Sequence, residues 1–306
     1  MEQKKTEEKL QNNSKLHFMN KPSNLKTKIF LDSGNPVETK EIKASLGFLD
    51  GQTTNPSLVA KNPLFAACRE KPEGCTNKDL WTAYKAIVTE ISPLVPESVS
   101  IEVYADKDTT AGEMIEKGRE LNTWIPNAHV KLPINAAGLE AAEVLTGEGI
   151  RVNMTLCFTQ TQAAAVYAAT RGAKPGDVFL SPFVGRLDDR GEDGMSFIKN
   201  VVQMFEGSDG HVQPLVASVR SLDHFLYSLQ IGVSLITSPA KILHEWTEAG
   251  QPVPDDSYQY DSGDLQPFAY EEHDLSADWR TFDLHHPLTD SGIERFASDW
   301  NNVLTK

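Results

Sequence analysis

The chain has 306 residues, 40% hydrophobic and 24% charged, values that suit one large or two small globular domains with a sizeable core. Its 29 Lys and Arg stand against 43 Asp and Glu, a formal charge of −14 that excludes nucleic acid or an anionic membrane as the main partner, because both require a basic footprint. Three cysteines (Cys68, Cys75, Cys157) are an odd number without zinc-ligand spacing, so neither a disulfide framework nor a structural zinc site is expected.

Residues 1–24 are polar, rich in Lys, Asn and Gln, and are expected to form a flexible leader. They lack the apolar core of a secretory signal, and no apolar run approaches the ~20 residues that cross a bilayer, so a cytoplasmic protein is expected. From Leu25 onward, short apolar runs alternate with amphipathic stretches. The runs that read as buried strands are 28–32, 47–53, 99–104, 128–132, 151–158, 177–181, 214–218 and 233–237. Between them, Thr110 to Glu113 and Thr159 to Gln162 have the spacing of capping boxes. Met195, Ile198, Val202 and Phe205 recur at helical spacing, as do Leu222, Phe225, Leu226 and Leu229. Gly172, Gly232 and Gly250 stand where helices should stop, and the wide gap between the second and third strands has room for two helices. Hydrophobic strands separated by helices demand a parallel sheet covered on both faces. Eight of them predict an α/β fold, a single (β/α)8 TIM barrel over residues 25–249. No Gly-x-Gly-x-x-Gly follows the first strand, which speaks against a dinucleotide fold.

Residues 250–290 hold ten acidic residues and one basic one, Arg280, with Pro252, Pro254, Gly263 and Pro267 breaking regular structure. An acidic irregular surface segment is expected over 250–284. A C-terminal helix follows over 285–306, with Thr289 as its N-cap and Ile293, Phe296, Ala297, Trp300, Val303 and Leu304 on one face. That stripe must be buried against the chain's own barrel or a neighbour's.

In a barrel the site lies where the strands end. The strand ends here carry Asp32, Thr54 and Asn55, Glu102, Lys131, Asn153 and Thr155, Ser181, and Ser218 and Arg220. Left unpaired, such buried groups would cost roughly 1–3 kcal/mol each, so a polar pocket is expected. Strand alternation turns Val130 and Leu132 away from Lys131 and aims Lys131 into the barrel. Burying an amine favours its neutral form, a nucleophile toward carbonyls, and Schiff-base chemistry needs no metal or organic cofactor. A snorkelling surface Lys is the bland alternative. Asp32 and Glu102, on different strands, can serve two proton transfers, or else cap helices or pair with Lys. Ser181 to Arg186 and Ala217 to Arg220 supply two guanidiniums and hydroxyls suited to phosphate, unless Arg186 pairs with Asp188 or Asp189 and Arg220 with Asp223. The adjacent His285 and His286 would diverge in regular structure, so no metal site is expected.

Seven stretches, in order, resemble the transaldolase family: Phe30-Leu-Asp-Ser, Asp50-Gly-Gln-Thr-Thr-Asn-Pro-Ser-Leu, Ser100-Ile-Glu-Val, Val130-Lys-Leu-Pro, Asn153-Met-Thr-Leu, Leu180-Ser-Pro-Phe-Val-Gly-Arg and Ala217-Ser-Val-Arg. The resemblance implies that Lys131 forms a Schiff base with a ketose and that Asp32 takes the C4 hydroxyl proton. Glu102 and Thr155 would hold a water that shuttles protons. Asn55, Asn153 and Ser181 would bind the dihydroxyacetone unit, and Arg186, Ser218 and Arg220 the phosphate. The end of the chain is similar to the C-terminal helix of short microbial transaldolases, which reaches over a neighbouring subunit, so a homo-oligomer is expected. Sugar phosphates are the implied partners, with no cofactor. Transfer of dihydroxyacetone is favoured over its release, as in the sister aldolases, because Phe183 stands where those carry Tyr. A non-catalytic sugar-phosphate-binding barrel would not need Lys131, Asp32 and Glu102 together.

Overall fold

Eight parallel strands close into a barrel in the computed structural model, which describes residues 20–70 and 74–304. They are β1 (Lys28–Asp32), β2 (Gly51–Thr53), β3 (Ser98–Glu102), β4 (Ala128–Pro133), β5 (Val152–Cys157), β6 (Val178–Pro182), β7 (Val212–Val216) and β8 (Leu235–Ser238). The seam closes where Lys28 to Leu31 pair with Leu235 to Ser238. The (β/α)8 barrel expected from the alternating runs is therefore the fold. Residues 1–19, most of the expected leader, lie outside the described residues; Lys21, within it, is already held by both carboxylate oxygens of Asp50 at 2.8 Å.

Among the described residues, eleven helices accompany the strands: α1 (Pro36–Leu46), α2 (Pro56–Val59), α3 (Pro63–Arg69), α4 (Asn77–Ile91), α5 (Ala111–Asn122), α6 (Ala136–Gly147), α7 (Gln160–Ala169), α8 (Val184–Asp188), α9 (Gly194–Met204), α10 (Leu222–Gln230) and α11 (Ala240–Glu248). The gap after β2 holds three helices rather than two. Asn55-Pro56 and Asn62-Pro63 each start a short one: the Asn side chain accepts an N–H of the first turn and the proline supplies a preset φ. Cys68, on α3, forms a disulfide with Cys75, with their Cα atoms 5.1 Å apart. This corrects the expectation from the cysteine count, which weighs against a framework of bridges but is blind to one local pair seven residues apart. Cys157 is free and buried.

Inside the barrel, side chains alternate in layers. Phe30, Phe179, Leu215 and Leu235 plug the floor, and His129 stacks on Phe179 at 3.9 Å between centroids. A Cβ at Gly51 would stand 2.4 Å from the Phe30 ring, so only glycine admits this plug. Two residues further along the same strands, Asp32, Thr53, Lys131, Ser181 and Thr237 replace the apolar layer. The pleat turns one strand sequence into a greasy floor and a polar ceiling.

Residues 250–286 run back around the outside of the barrel against the direction of the helices. Trp246 Nε1 and Gln230 Nε2 donate to carbonyls of Pro252, Asp255 and Tyr258. Further on, Gln266 pairs with Glu192 as a short strand. Asn200 and Gln160 then donate to Phe268 and Ala269, Arg171 to Ser276 and Ala277, and Arg280 pairs with Glu143. The strap then turns inward into α12 (Pro287–Leu304), which lies across the mouth of its own barrel against α2, α3 and β5. Thr289 is inside this helix rather than its N-cap, and its hydroxyl donates to the Leu156 carbonyl at 3.0 Å. Among the described residues, no helix is long and apolar enough to cross a membrane.

Candidate active site

The strand ends and α12 enclose a cavity of about 340 Å³ at the barrel mouth. Asp32, Asn55, Lys131, Ser181, Phe183, Arg186, Ser218 and Arg220 all line it. Glu102, Asn153 and Thr155 lie behind its wall: Asn153 and Thr155 are fully buried, and Glu102 is reached through Lys131.

Lys131 Nζ stands 2.9 Å from Glu102 Oε2, with both side chains 4% exposed. The buried hydroxyl of Thr155 has no hydrogen-bond partner among the described residues. Burial raises the pKa of Glu102, and the charge of Lys131 opposes this. Asp32 behaves alike: burial lifts its pKa, while Lys131 and a hydrogen bond from Thr53 pull it down. One ammonium thus faces two desolvated carboxyls that compete for it, which favours keeping a proton in the group.

The hydrogen bonds fix what each side chain still offers. Thr53 donates to Asp32 Oδ1 at 2.7 Å, so Thr237 must be the donor in its 2.7 Å contact with Thr53. Ser181 donates to Asn153 Oδ1 at 2.7 Å, and Asn153 Nδ2 donates to Ser100 at 3.0 Å. Asn153 therefore has one acceptor and one donor committed, and Ser181 faces the cavity as an acceptor. Asn55 Oδ1 is committed to the N–H of Leu58, which leaves its amide nitrogen for a ligand.

On the other wall, Ser218 takes a left-handed backbone (φ 58°), and its carbonyl accepts the N–H of Gly185 at 3.0 Å. A Cβ at Gly185 would come 2.2 Å from Arg220 Cγ, so glycine lets Arg220 cross here. Arg220 pairs with Asp189 at 2.9 Å, an exposed contact that a ligand can displace, and not with Asp223. Arg186 pairs with neither Asp188 nor Asp189 among the described residues; its guanidinium lies between the rings of Phe183, 5.2 Å away, and Phe296, 5.8 Å away. Its pKa is lowered by partial burial, then by the charge of Arg295 and, less, by that of Arg220. Cations thus gather at the mouth of an acidic protein.

A family model described as Transaldolase/Fructose-6-phosphate aldolase matches residues 29–306. The chain belongs to the transaldolase/fructose-6-phosphate aldolase family. A "Probable transaldolase" of Dehalococcoides mccartyi is 36% identical over 90% of this chain and 99% of the relative. Proteins of the same description from Herpetosiphon aurantiacus, 35% identical over 90% and 96%, and Roseiflexus castenholzii, 34% over 89% and 96%, are similar as well.

Three features of this family member escape sequence reasoning. Tyr84, on α4, accepts the N–H of Glu102 at 3.0 Å and lies 2.5 Å from Thr54 Oγ1. Because Thr54 donates onward to the Ser100 carbonyl, Tyr84 is the donor in that contact. It clamps the β3 end that carries Glu102, yet its helical spacing reads only as core. Thr237, at the end of β8, gives no sign of the relay through Thr53 to Asp32. Arg295 and Phe296 of α12 line the same cavity, with Lys131 Nζ 5.7 Å from the Phe296 ring. Only a signal linking the last helix to the barrel mouth could have found them.

Proposed function

We propose that the chain is a transaldolase that moves a dihydroxyacetone unit from a ketose phosphate, such as fructose 6-phosphate or sedoheptulose 7-phosphate, to an aldose phosphate such as erythrose 4-phosphate or glyceraldehyde 3-phosphate, as in the pentose phosphate pathway. The observation that carries this is Lys131, buried at the base of a cavity, 2.9 Å from Glu102, with Asp32 and two guanidiniums on the same walls.

Lys131 passes a proton to Glu102 and its amine adds to the ketose C2 carbonyl; a proton moves from the nitrogen to the oxygen, and Glu102 returns its proton as water leaves, giving the Schiff base. Glu102, beside Lys131, and Thr155, with its hydroxyl unpaired among the described residues, would hold the water that carries these protons. Asn55 and Asn153, with Ser181, would bind the hydroxyls of the three-carbon unit, and Arg186, Ser218 and Arg220 the phosphate. Asp32 takes the C4 hydroxyl proton, and the C3–C4 bonding electrons flow into the iminium. The aldose phosphate leaves and an enamine remains on Lys131. Addition of its C3 to an acceptor aldehyde, return of the proton by Asp32 and hydrolysis of the Schiff base complete the transfer. Phe183 has no hydroxyl to deliver a proton to the enamine, which favours transfer over release of free dihydroxyacetone.

Incubation with fructose 6-phosphate and borohydride is expected to inactivate the protein and add a reduced three-carbon mass to Lys131. Labelling elsewhere, or none, overturns the mechanism. Release of dihydroxyacetone without acceptor, as fast as transfer with it, would make the chain an aldolase instead.

A further inference from the structure

The phosphate wall described above has two arginines from β6 and β7 connections, but the cavity has a third guanidinium from the far end of the chain. Arg295 lines the same cavity as Arg186, Ser218 and Arg220. Gly292, one turn earlier on α12, brings the helix close to Arg186: a Cβ there would stand 2.9 Å from Arg186 Nη1. Arg295 projects from the same side of the helix, three residues on.

Arg220 has Asp189 as its partner, but Arg186 and Arg295 are weakly neutralised. Arg186 makes no ion pair among the described residues and lies over the faces of Phe183 and Phe296. Arg295 approaches Asp299 no closer than 3.9 Å, and Asp299 already accepts a hydrogen bond from Ser57. Like charges gathered at a partly desolvated mouth repel each other unless an anion sits among them, and a chain of formal charge −14 has ample carboxylates with which to neutralise them. We propose that Arg295 is a third arm of the phosphate seat, supplied by α12 of the same chain, so that the C-terminal helix selects phosphorylated sugars. A phosphate dianion has oxygens enough to bind guanidiniums from two walls, whereas a neutral sugar gains nothing from the third.

The inference rests on the sugar-phosphate function proposed above, but its first test needs no turnover. Inorganic phosphate is titrated calorimetrically into the full-length protein and into Arg295→Gln and Arg295→Lys. Arg295→Gln is expected to weaken phosphate binding by about tenfold, the size of one charge-assisted contact, and Arg295→Lys to recover part of it. The ratio of KM for fructose to KM for fructose 6-phosphate should fall by a similar factor in Arg295→Gln. The side chain is 68% exposed, so folding is not at risk. Unchanged phosphate affinity in Arg295→Gln overturns the proposal. So does an equal loss in Lys241→Gln, which removes the same charge from α11, or an equal rise in KM for both sugars. Failure of the function itself would appear separately, as absence of Lys131 labelling.

Discussion

At Gly185 the backbone passes so close beneath Arg220 that one methyl group would collide with it, at 2.2 Å from Cγ and 2.7 Å from Nε. Gly185→Ala is therefore expected to displace the guanidinium while leaving Lys131 in place. KM for fructose 6-phosphate should rise by about tenfold or more, with borohydride trapping at Lys131 retained at saturating substrate. An unchanged KM would mean that Arg220 adapts or is not used. The side chains proposed for catalysis were legible because each is a polar residue at the end of an apolar run, where a burial cost demands a reason. Their supports were not. Tyr84 repeats with Leu80, Ile87, Val88 and Ile91 along α4, and no periodicity separates a phenol that fills space from one that holds Glu102. Asn153 is named correctly as a polar strand residue, but only the structure shows that Ser100 and Ser181 have already claimed part of it.

The strands were legible for the same reason that they are buried on both faces: each is a short hydrophobic run between helices. The connection after β2 was less so, because two Asn-Pro pairs cut it into more pieces than its length suggests. Thr159 and Gln162 have capping-box spacing, and Thr159 does accept the N–H of Gln162 at 3.0 Å. The Gln162 side chain has another use. Its oxygen accepts the N–H of Phe158 at 2.8 Å, and its nitrogen donates to Leu284 and Thr289, both at 2.9 Å. It thus pins the start of α12 to the end of β5. Gln162→Ala would leave buried backbone groups unpaired, at roughly 1–3 kcal/mol. The expected result is a Tm lower by a few degrees, with hydrogen exchange in 287–304 accelerated more than in α9. Uniform acceleration would show that Gln162 stabilises the barrel and not the helix.

For the molecule entire, the acidic strap and the basic mouth are separate surfaces of one chain: the carboxylates lie along the outside, the guanidiniums over the cavity. Stability at low pH is set deeper down. His129 is buried, which favours the neutral ring: Nε2 donates to the Gly176 carbonyl and Nδ1 accepts from Ser98 at 2.7 Å. Burial, helped by the charge of Arg151, lowers its pKa to about 3. Below about 6.5 the unfolded chain takes up a proton at this histidine that the folded chain refuses, so stability falls as pH drops from about 6.5 toward 3. His129→Gln is expected to be less stable at pH 7 but to lose less on going from pH 7 to 5, by about one proton's worth of slope in urea unfolding. Equal slopes would mean that His129 protonates in the folded state. The path of the strap has a consequence in time. Chains emerge from the ribosome N-terminus first, so Asp32, Glu102 and Lys131 are made before residue 132, while Phe296 follows well over a hundred residues later. A nascent barrel would stand unroofed until α12 arrives, so the cavity at its mouth can close only after every strand that lines it has been made.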